Sequence, residues 1–327
     1  MESSRLPGRK LVFDFERPIV EIEDEIAEFK RLAAQNEVNL DDEIGRLTER
    51  VAAARQTIYR QLKPVQRVQV ARHPSRPSAL DYIQNICEDF IELHGDRQGY
   101  DDRAIVGGLA SFEGRTIVVV ANQKGRDTRD NIMRNFGMAH PEGYRKALRL
   151  FKHAGKFGLP VLTLIDTPGA YPGIEAEQRG QSAAIALNLF EMSRLPVPIV
   201  SVVIGEGSSG GAMGIGVSDR ILMLEHSYYA VISPEGCAAI LWKDPSKAKV
   251  AAEAMGITAE DLLRLGIADE IIPEPLGGAH QDPLAAARNL KAALGPHLAA
   301  LSRLGAYELV ERRAAKYRAM GRFIEDF

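Results

Sequence analysis

The chain has 327 residues, of which 45% are hydrophobic and 26% charged, the composition of an ordinary globular protein with room for one large α/β domain and an appendage. Its formal net charge of -3 gives no overall attraction for nucleic acid or for an anionic membrane surface. Two cysteines are too few for a disulfide framework, no apolar run reaches the roughly 18 residues of a membrane span, and the N-terminus lacks the apolar core of a signal peptide. We therefore expect a cytoplasmic protein.

The first elements in chain order are a disordered N-terminus, residues 1–17, and two amphipathic helices. From Pro18 onward, apolar residues recur on one helical face, and a second such pattern follows the break at Asn39-Leu40-Asp41. Two helices joined by a short break predict an antiparallel hairpin over residues 18–63. Because a hairpin cannot bury its apolar stripe by itself, we expect it to pack on the main domain or on another subunit.

Prolines separate the hairpin from the main domain and act as helix breakers. A capping pattern at Ser78 then predicts a helix that runs to about His94. The predicted segments are a linker over residues 64–77, a main domain over residues 78–295 and a helical C-terminal tail over residues 296–327.

The main domain is predicted to be α/β, with pairs of strands before single helices. Two apolar runs joined by Glu113-Gly114 predict a β-hairpin. Repeated ββα units favour a spiral of stacked strands over a doubly wound sheet, in which strands and helices alternate one to one. The predicted strands are 104–112, 116–121, 160–166, 198–204, 220–225, 229–233 and 270–272, and the predicted helices are 142–157, 176–194, one from 210 and one from 283.

The most informative stretch is Val197–Gly216, in which an apolar strand enters a glycine-rich turn that opens into a short helix. This arrangement directs several backbone N–H groups to one point beside a helix N-terminus, where they can bind a negative oxygen. Gly210 and Gly211, called the glycine doublet below, leave no side chain in the way of a ligand that approaches the backbone. We expect the N–H groups of Gly210, Gly211 and Ala212 to stabilise a developing enolate or ureido anion.

The same turn matches two other motifs. Residues 205–210 fit the G-x-G-x-x-G of dinucleotide-binding proteins, with Glu225 about 20 residues later, but the helix that follows is too short for such a crossover. Residues 207–211 fit the G-x-S-x-G of serine hydrolases, but no histidine lies in a context that marks a triad partner. The main-chain interpretation is therefore favoured.

A second loop of the same kind, DTPGAYPG, follows the strand that ends at Asp166. We expect Gly169, Tyr171, Pro172 and Gly173 to form a wall of the site opposite the glycine doublet, with Tyr171 able to stack on a flat ligand. The alternative is a rigid turn that only fixes the entry of the next helix. The string also contains the D-x-x-G of GTPases, but the chain has no P-loop motif and a nucleoside triphosphate site of that type is excluded.

Residues 122–146 carry more basic than acidic side chains. Such an excess beside an anion site could bind phosphates or the acidic surface of a partner, or form a solvated surface. Lys124 and Arg126 are the candidates for phosphate contacts. The basic residues are Lys124, Arg126, Arg129, Arg134, Arg145 and Lys146.

Eight short strings occur in one order along the chain: DDRAIVGG (101–108), QKGR (123–126), RNFGM (134–138), PEGYRKAL (141–148), DTPGAYPG (166–173), GEGSSGGA (205–212), VISPEGC (231–237) and IPEPLGGAH (272–280). Together they resemble the carboxyltransferase α subunits of bacterial-type multi-subunit acetyl-CoA carboxylases. The resemblance runs from about residue 11 to residue 294 and includes the N-terminal helices.

This resemblance implies a crotonase-like spiral of ββα units. It also implies transfer of a carboxyl group from carboxybiotin, presented by a biotin carboxyl carrier protein, to acetyl-CoA, giving malonyl-CoA for fatty acid biosynthesis. A β subunit with a zinc ribbon completes the site in an α2β2 assembly, and biotin carboxylase is a further partner. No metal and no covalently bound cofactor is expected on this chain, which has no C-x-x-C pair. The expected site residues are Gly210, Gly211 and Ala212 for the ureido oxygen, and Gly169, Tyr171, Pro172, Gly173, Gly207, Lys124 and Arg126 for substrate.

Two alternatives remain at the level of the sequence. A crotonase-fold hydratase or isomerase that acts alone would need a pair of glutamates facing a thioester, and Glu175, Glu177 and Glu206 lie in the two loops. A non-catalytic or nucleic-acid-binding role would use the basic segment.

Overall fold

The computed structural model describes residues 11–36 and 38–321. The first ten residues of the predicted disordered N-terminus therefore lie outside the described residues. The rest of that prediction is wrong, because Asp14–Glu16 form a 3-10 turn and the Glu16 carboxylate accepts a 2.7 Å hydrogen bond from the Tyr59 hydroxyl.

The two N-terminal helices form the predicted hairpin. They are α1, Arg17–Asn36, and α2, Asp41–Arg60. Arg55, near the end of α2, donates a 2.6 Å hydrogen bond to Glu23 in α1, which fixes the antiparallel direction. The apolar faces of both helices pack around Val70, so the hairpin lies on its own chain.

The chain forms a third helix where the sequence predicts a linker. This helix, α3, spans Pro64–Ala71, and its proline occupies the first turn, where a missing N–H costs nothing. Val68 is buried in it. In the loop that follows, Arg76 makes two hydrogen bonds, of 2.5 and 2.8 Å, with the carboxylate of Glu274, and both side chains are almost fully buried. The segment is therefore part of the packed body.

Within the described residues, eight strands form one sheet in the order β1-β2-β3-β4-β5-β6-β8, and β7 pairs with β5. The pairs β1–β2 and β2–β3 are antiparallel, and the other pairs are parallel. The strands are β1 Glu88–Glu92, β2 Ile105–Phe112, β3 Arg115–Asn122, β4 Val161–Thr167, β5 Ile199–Ser208, β6 Arg220–Leu224, β7 Tyr228–Ala230 and β8 Glu270–Ile272.

The remaining helices are α4 Ala79–Ile86, α5 Thr128–Met133, α6 Pro141–Phe157, α7 Ile174–Gln178, α8 Gln181–Ser193, α9 Ser209–Met213, α10 Pro234–Trp242, α11 Ala248–Ala254, α12 Ala259–Arg264, α13 Pro283–Leu301 and α14 Ala306–Arg318. They cover both faces of the sheet, which explains the near-continuous apolar runs of its central strands. Leu162 and Val202 face the core with α4 and α13, whereas Ile165 and Val203 face the core with α6, α8 and α12. None of the described helices is long and apolar enough to cross a membrane.

The predicted α/β class and the predicted strands are confirmed, with strand ends within four residues of the prediction. Two predicted helices are wrong in extent. The helix predicted to run from Ser78 to His94 stops at Ile86, and the chain continues as the edge strand β1. The helix predicted over 176–194 is divided into α7 and α8 by Gly180, whose φ of +84° interrupts the helical backbone.

Arg313 in α14 fixes the C-terminal helix to the sheet. Its guanidinium uses all five N–H groups: two hydrogen bonds of 2.8 and 2.9 Å reach the carboxylate of Asp219, and three of 2.6 to 2.9 Å reach the carbonyl oxygens of Met192, Leu195 and Val197. The Arg313 side chain is 1% exposed. Helix α14 is therefore a packed part of the molecule.

Candidate functional site

The two glycine-containing loops follow neighbouring parallel strands. β4 ends at Thr167 and β5 at Ser208, and Thr167 pairs with Gly207 after a register shift that follows the Ile165–Val203 pair. The carboxyl ends of parallel strands meet at one edge of a sheet, so both loops leave the sheet side by side. The structure thus brings together the two loops that the sequence predicts to face each other.

Gly211 makes a very close contact between the loops. A Cβ atom on Gly211 would lie 2.3 Å from the carbonyl carbon of Gly169 and 2.6 Å from the amide nitrogen of Ala170, so a larger residue would displace the second loop. Gly210 is half-buried, and Gly211 and Ala212 are buried. At this contact the site is built from main chain.

The turn between β5 and α9 is sharp and strained. Ser208 is extended, with φ -121°, and Ser209 has φ +59°, a left-handed backbone that costs a non-glycine residue about 1–2 kcal/mol. Such strained residues concentrate at functional sites. The first N–H groups of a helix have no acceptor within that helix, so a turn of this kind offers hydrogen-bond donors to a negative oxygen.

The second loop is fixed by the chain segment that precedes α6. The Thr167 hydroxyl lies 2.7 Å from the carbonyl oxygens of both Gly137 and Gly169. The Tyr171 N–H donates to the carbonyl oxygen of Ala139 at 3.0 Å. These bonds hold the loop in one conformation against the glycine doublet.

Tyr171 already uses one face of its ring. The ring lies tilted against that of His140, with centroids 4.0 Å apart and an angle of 30° between the planes. A Cβ atom at position 173 would lie 2.4 Å from Cε1 of Tyr171, so a larger residue there would displace this ring. Pro172 is exposed and Gly173 is half-buried. The flat ligand predicted for Tyr171 therefore has one ring face left.

A group of buried charges joins the ends of three strands beside the loops. Lys124 lies two residues beyond the end of β3, and its Nζ lies 2.7 Å from Oδ1 of Asp166 in β4 and 2.6 Å from Oε2 of Glu206 in β5. The Glu206 N–H also donates to Asp166 Oδ1 at 2.9 Å. The side chains of Asp166 and Glu206 are 8% and 7% exposed. With Arg72, described next, these residues are called the strand-end charge group below.

Arg72 brings the segment after α3 into this group. Its Nε donates to Glu206 Oε1 at 2.5 Å, and the Tyr228 hydroxyl donates to the same oxygen at 2.8 Å. Burial alone would raise the pKa of Glu206, but the charges of Lys124 and Arg72 lower it to about 2. Burial alone would lower the pKa of Lys124, but the carboxylates of Asp166 and Glu206 raise it. Glu206 and Lys124 are therefore both charged at neutral pH.

Comparison with known proteins identifies the family. The family model described as acetyl co-enzyme A carboxylase carboxyltransferase-like matches residues 12–321. The chain belongs to this family. Relatives named acetyl-coenzyme A carboxylase carboxyl transferase subunit alpha are 56% identical over 317 residues in Synechococcus elongatus, covering 97% of each chain, and 55% identical over 318 residues in Trichodesmium erythraeum, covering 97% of this chain and 98% of the relative.

Solved structures of more distant proteins share the fold of this family member. Transcarboxylase 12S superposes with a TM-score of 0.55 at 22% identity, over 68% of this chain and 42% of that chain. A Pseudomonas malonate decarboxylase hetero-tetramer in complex with coenzyme A gives a TM-score of 0.56 at 16% identity, over 68% of this chain and 91% of that chain. At these identities the likeness concerns the fold, and it confirms the predicted crotonase-like α/β class.

The basic residues of the 122–146 segment are largely paired. Inside the segment, Arg134 pairs with Asp130 and Arg145 lies 3.8 Å from Glu142, and the other acidic partners come from elsewhere in the chain. Lys124 faces two carboxylates, an arrangement that does not favour it as a phosphate contact. Arg126 is 64% exposed even in its ion pair. The ion pairs by which the segment's basic residues reach outside it are Arg126–Asp81, Arg145–Asp96, Lys146–Asp101, Lys124–Asp166 and Lys124–Glu206.

The glycines of the dinucleotide-like motif serve contacts within the protein. A Cβ atom on Gly205 would lie 2.6 Å from Oδ1 of Asp166, and one on Gly207 would lie 2.8 Å from Cδ2 of Tyr229. Glu225, the candidate ribose-binding acid, accepts a hydrogen bond from the backbone N–H of Glu274. These glycines accommodate neighbouring side chains, and the structure gives no support to a dinucleotide site.

The serine-hydrolase and hydratase alternatives also lack the required side chains. Among the described residues, neither Ser208 nor Ser209 has a recorded hydrogen bond to a histidine, and the Ser208 hydroxyl is buried without a partner. Glu175 and Glu177 are exposed on α7. Glu206 is held by two cations. Of the three candidate glutamates, none therefore forms a buried pair that could face a thioester.

Sequence reasoning missed the strand-end charge group. Asp166 enters the sequence prediction only as the first residue of a loop motif, Glu206 only as a candidate for a hydratase glutamate pair, and Arg72 falls in the predicted linker. The position of these residues in the strands could have predicted the group. A charged residue stands at or near the end of each of three neighbouring parallel strands, and those ends lie at one edge of the sheet. In the described part of the chain, no group of three or more His, Cys, Asp or Glu is arranged to hold a metal ion.

An apolar cavity of about 670 Å³ lies beyond α9. Met213, Tyr229, Cys237, Leu262 and Tyr317 contribute to its lining, which contains no charged residue. Such a lining does not suit an anionic ligand, so the cavity is distinct in chemistry from the loop site.

Proposed function

We propose that this chain is the α subunit of an acetyl-CoA carboxytransferase, which acts with a β subunit to move a carboxyl group from carboxybiotin to acetyl-CoA and so forms malonyl-CoA for fatty acid biosynthesis. The observation that carries the proposal is the contact of Gly211 with the Gly169–Ala170 peptide, which joins two loops into one main-chain site. Membership of the family over residues 12–321, and relatives that share nearly their whole length with this chain, support the reaction.

The proposed chemistry needs oxyanion stabilisation more than a side-chain base. When the N–CO2 bond of carboxybiotin breaks, CO2 leaves and negative charge develops on the ureido oxygen of biotin. The N–H groups of Gly210, Gly211 and Ala212 stabilise that oxygen; one such donor is worth about 10²- to 10³-fold in rate. The biotin anion then takes a proton from the acetyl methyl group, and the resulting carbanion attacks CO2. This scheme suits loops in which no histidine or thiol is placed.

The second loop supplies the opposite wall of the proposed site. Tyr171, Pro172 and Gly173 line it with Gly169, and Gly207 contributes main chain beside β7. Arg126 is the proposed contact for a phosphate of coenzyme A, because it is exposed and its carboxylate partner is also solvent-accessible. The role of Lys124 is taken up in the next subsection.

The proposed partners follow from the proposal that this chain supplies only part of the active site and a second subunit supplies the rest. A β subunit that carries the zinc, in an α2β2 assembly, completes the acyl-CoA pocket, and a biotin carboxyl carrier protein and biotin carboxylase deliver the carboxyl group. The relatives' names, which end in "subunit alpha", support the need for a second chain. A cytoplasmic location is part of the same proposal.

The test is reconstitution from purified chains. This chain alone, a family β subunit alone and the two together are incubated with carboxybiotin and acetyl-CoA, and malonyl-CoA is measured. We expect product only from the mixture. Product from this chain alone contradicts the half-site proposal, and hydration of crotonyl-CoA by this chain alone supports the hydratase alternative. No product from a mixture that forms a stable complex contradicts the proposed function.

A further inference from the structure

Lys124 holds together the ends of β4 and β5 at the point where the two site loops begin. One ammonium nitrogen contacts Asp166 at 2.7 Å and Glu206 at 2.6 Å. Gly169 follows Asp166 by three positions, and Gly211 follows Glu206 by five. Any change in the separation of the two carboxylates is therefore transmitted over a short stretch of chain to the Gly169–Gly211 contact.

The charges of this group balance only when Lys124 is present. Asp166 and Glu206 are both almost fully buried, and Arg72 shares its guanidinium between Glu206 and Glu235. Two carboxylates that share a buried site with too few cations cannot both stay ionised, so one of them takes up a proton or the two move apart. Gly205 packs tightly against Asp166, which leaves β5 little freedom to adjust.

We propose that Lys124 is a positioning residue for carboxyl transfer: its charge sets the distance between the two loops and so aligns the main-chain donors. The proposal rests on the proposed function for its activity readout. In this proposal Lys124 acts through Asp166 and Glu206 on the alignment of the reacting groups. A phosphate contact would instead contribute to the binding of coenzyme A. The two roles differ in the kinetic constant that they change.

The first test is Lys124→Met in the reconstituted αβ complex. We expect kcat to fall by about 10²-fold, since a displacement of about 1 Å in a reacting geometry has that effect, with KM for acetyl-CoA changed less than about twofold. We also expect the variant, unlike the wild type, to recover part of its kcat as the pH is lowered from about 8 to about 6, because protonation of one carboxylate removes the surplus charge.

The second test is the double variant Lys124→Met/Asp166→Asn, in which Glu206 keeps Arg72 and the carboxylate that loses its cation is neutral. Partial recovery of kcat at pH of about 8 supports the proposal, because a role in phosphate binding gives no such recovery. The matched control is Lys152→Met, since Lys152 is 56% exposed and lies 4.0 Å from Glu191; its activity should equal that of the wild type.

Hydrogen exchange separates this proposal from the proposed function. Backbone amides of residues 166–173 and 205–214 should exchange faster in Lys124→Met than in the wild type, whether or not the wild-type complex transfers carboxyl groups. A raised KM with unchanged kcat, or unchanged kcat and exchange, overturns the proposal. If neither the single nor the double variant folds, Lys124 is needed for folding in general, and this outcome also overturns the proposal.

Discussion

At the scale of single residues, main-chain atoms fill the centre of the candidate site. The sequence predicts the glycine doublet and the second loop correctly as neighbours, because each follows an apolar strand. It does not explain Gly205 and Gly207, since the side chains that crowd them, Asp166 and Tyr229, come from other strands. Motif spacing therefore predicts that the two loops are neighbours but gives no reason for these two glycines.

Gly211→Ala tests the main-chain site directly. The added Cβ has to displace the Gly169–Ala170 peptide, so we expect carboxyl transfer by the αβ complex to fall by about 10²- to 10³-fold, as for loss of an oxyanion donor, with assembly unchanged. The control is Gly45→Ala in α2, where a Cβ atom meets nothing within 4 Å. It should leave malonyl-CoA formation unchanged. Equal rates for the two variants would refute the assignment.

At the scale of elements, long-range pairing decides the places where local patterns fail. Residues 88–92 contain three acidic residues and read as helix, yet they form the exposed edge strand β1 because β2 offers an antiparallel partner. The prolines around α3 read as breakers, yet Pro64 starts that helix and its apolar residues meet Tyr228 and Ile257 from distant parts of the chain. The local sequence of β1 or α3 does not show which distant segment will pair or pack with it.

Arg313→Met tests how the C-terminal helix is held. Removing the guanidinium leaves the buried Asp219 carboxylate without its cation, so we expect a loss of about 3–5 kcal/mol in the free energy of unfolding. The neighbouring Arg312→Met is the control, because Arg312 is 63% exposed in its pair with Glu308 and such pairs contribute about 0–1 kcal/mol. Urea unfolding of both variants measures the difference. Similar values for the two would show that α14 is not anchored by Arg313.

At the scale of the whole molecule, a cluster of histidines and charges joins the N-terminal segment to the sheet. The His280 ring stacks on His73 with centroids 4.0 Å apart. Burial, followed by the charges of His73 and Arg76, lowers the pKa of His280 from 6.5 to about 3, with a further lowering from His226 and an opposing effect of Glu274. The folded protein thus keeps this ring neutral at pH values where the unfolded chain binds a proton.

The pH dependence of stability follows from this difference. The contribution of neutral His280 is complete above about pH 6.5 and is lost progressively as the pH falls towards about 3. His280→Phe keeps a ring against His73 but cannot titrate, so its free energy of unfolding should fall less steeply over that range than that of the wild type. His153→Phe, at an exposed position, is the control. Parallel curves for wild type and His280→Phe would contradict the prediction.

The guanidinium groups of Arg72 and Arg76 also define where this protein can be shortened. Both residues belong to the segment that the sequence predicts to be a linker. Arg72 pairs with Glu206 and Arg76 pairs with Glu274, and both carboxylates are buried. A fragment starting at residue 78 would leave the buried Glu274 without its cation, at a cost of about 3–5 kcal/mol, and would leave Glu206 with Lys124 alone. Separate expression of the sheet-containing part should therefore begin before Pro64.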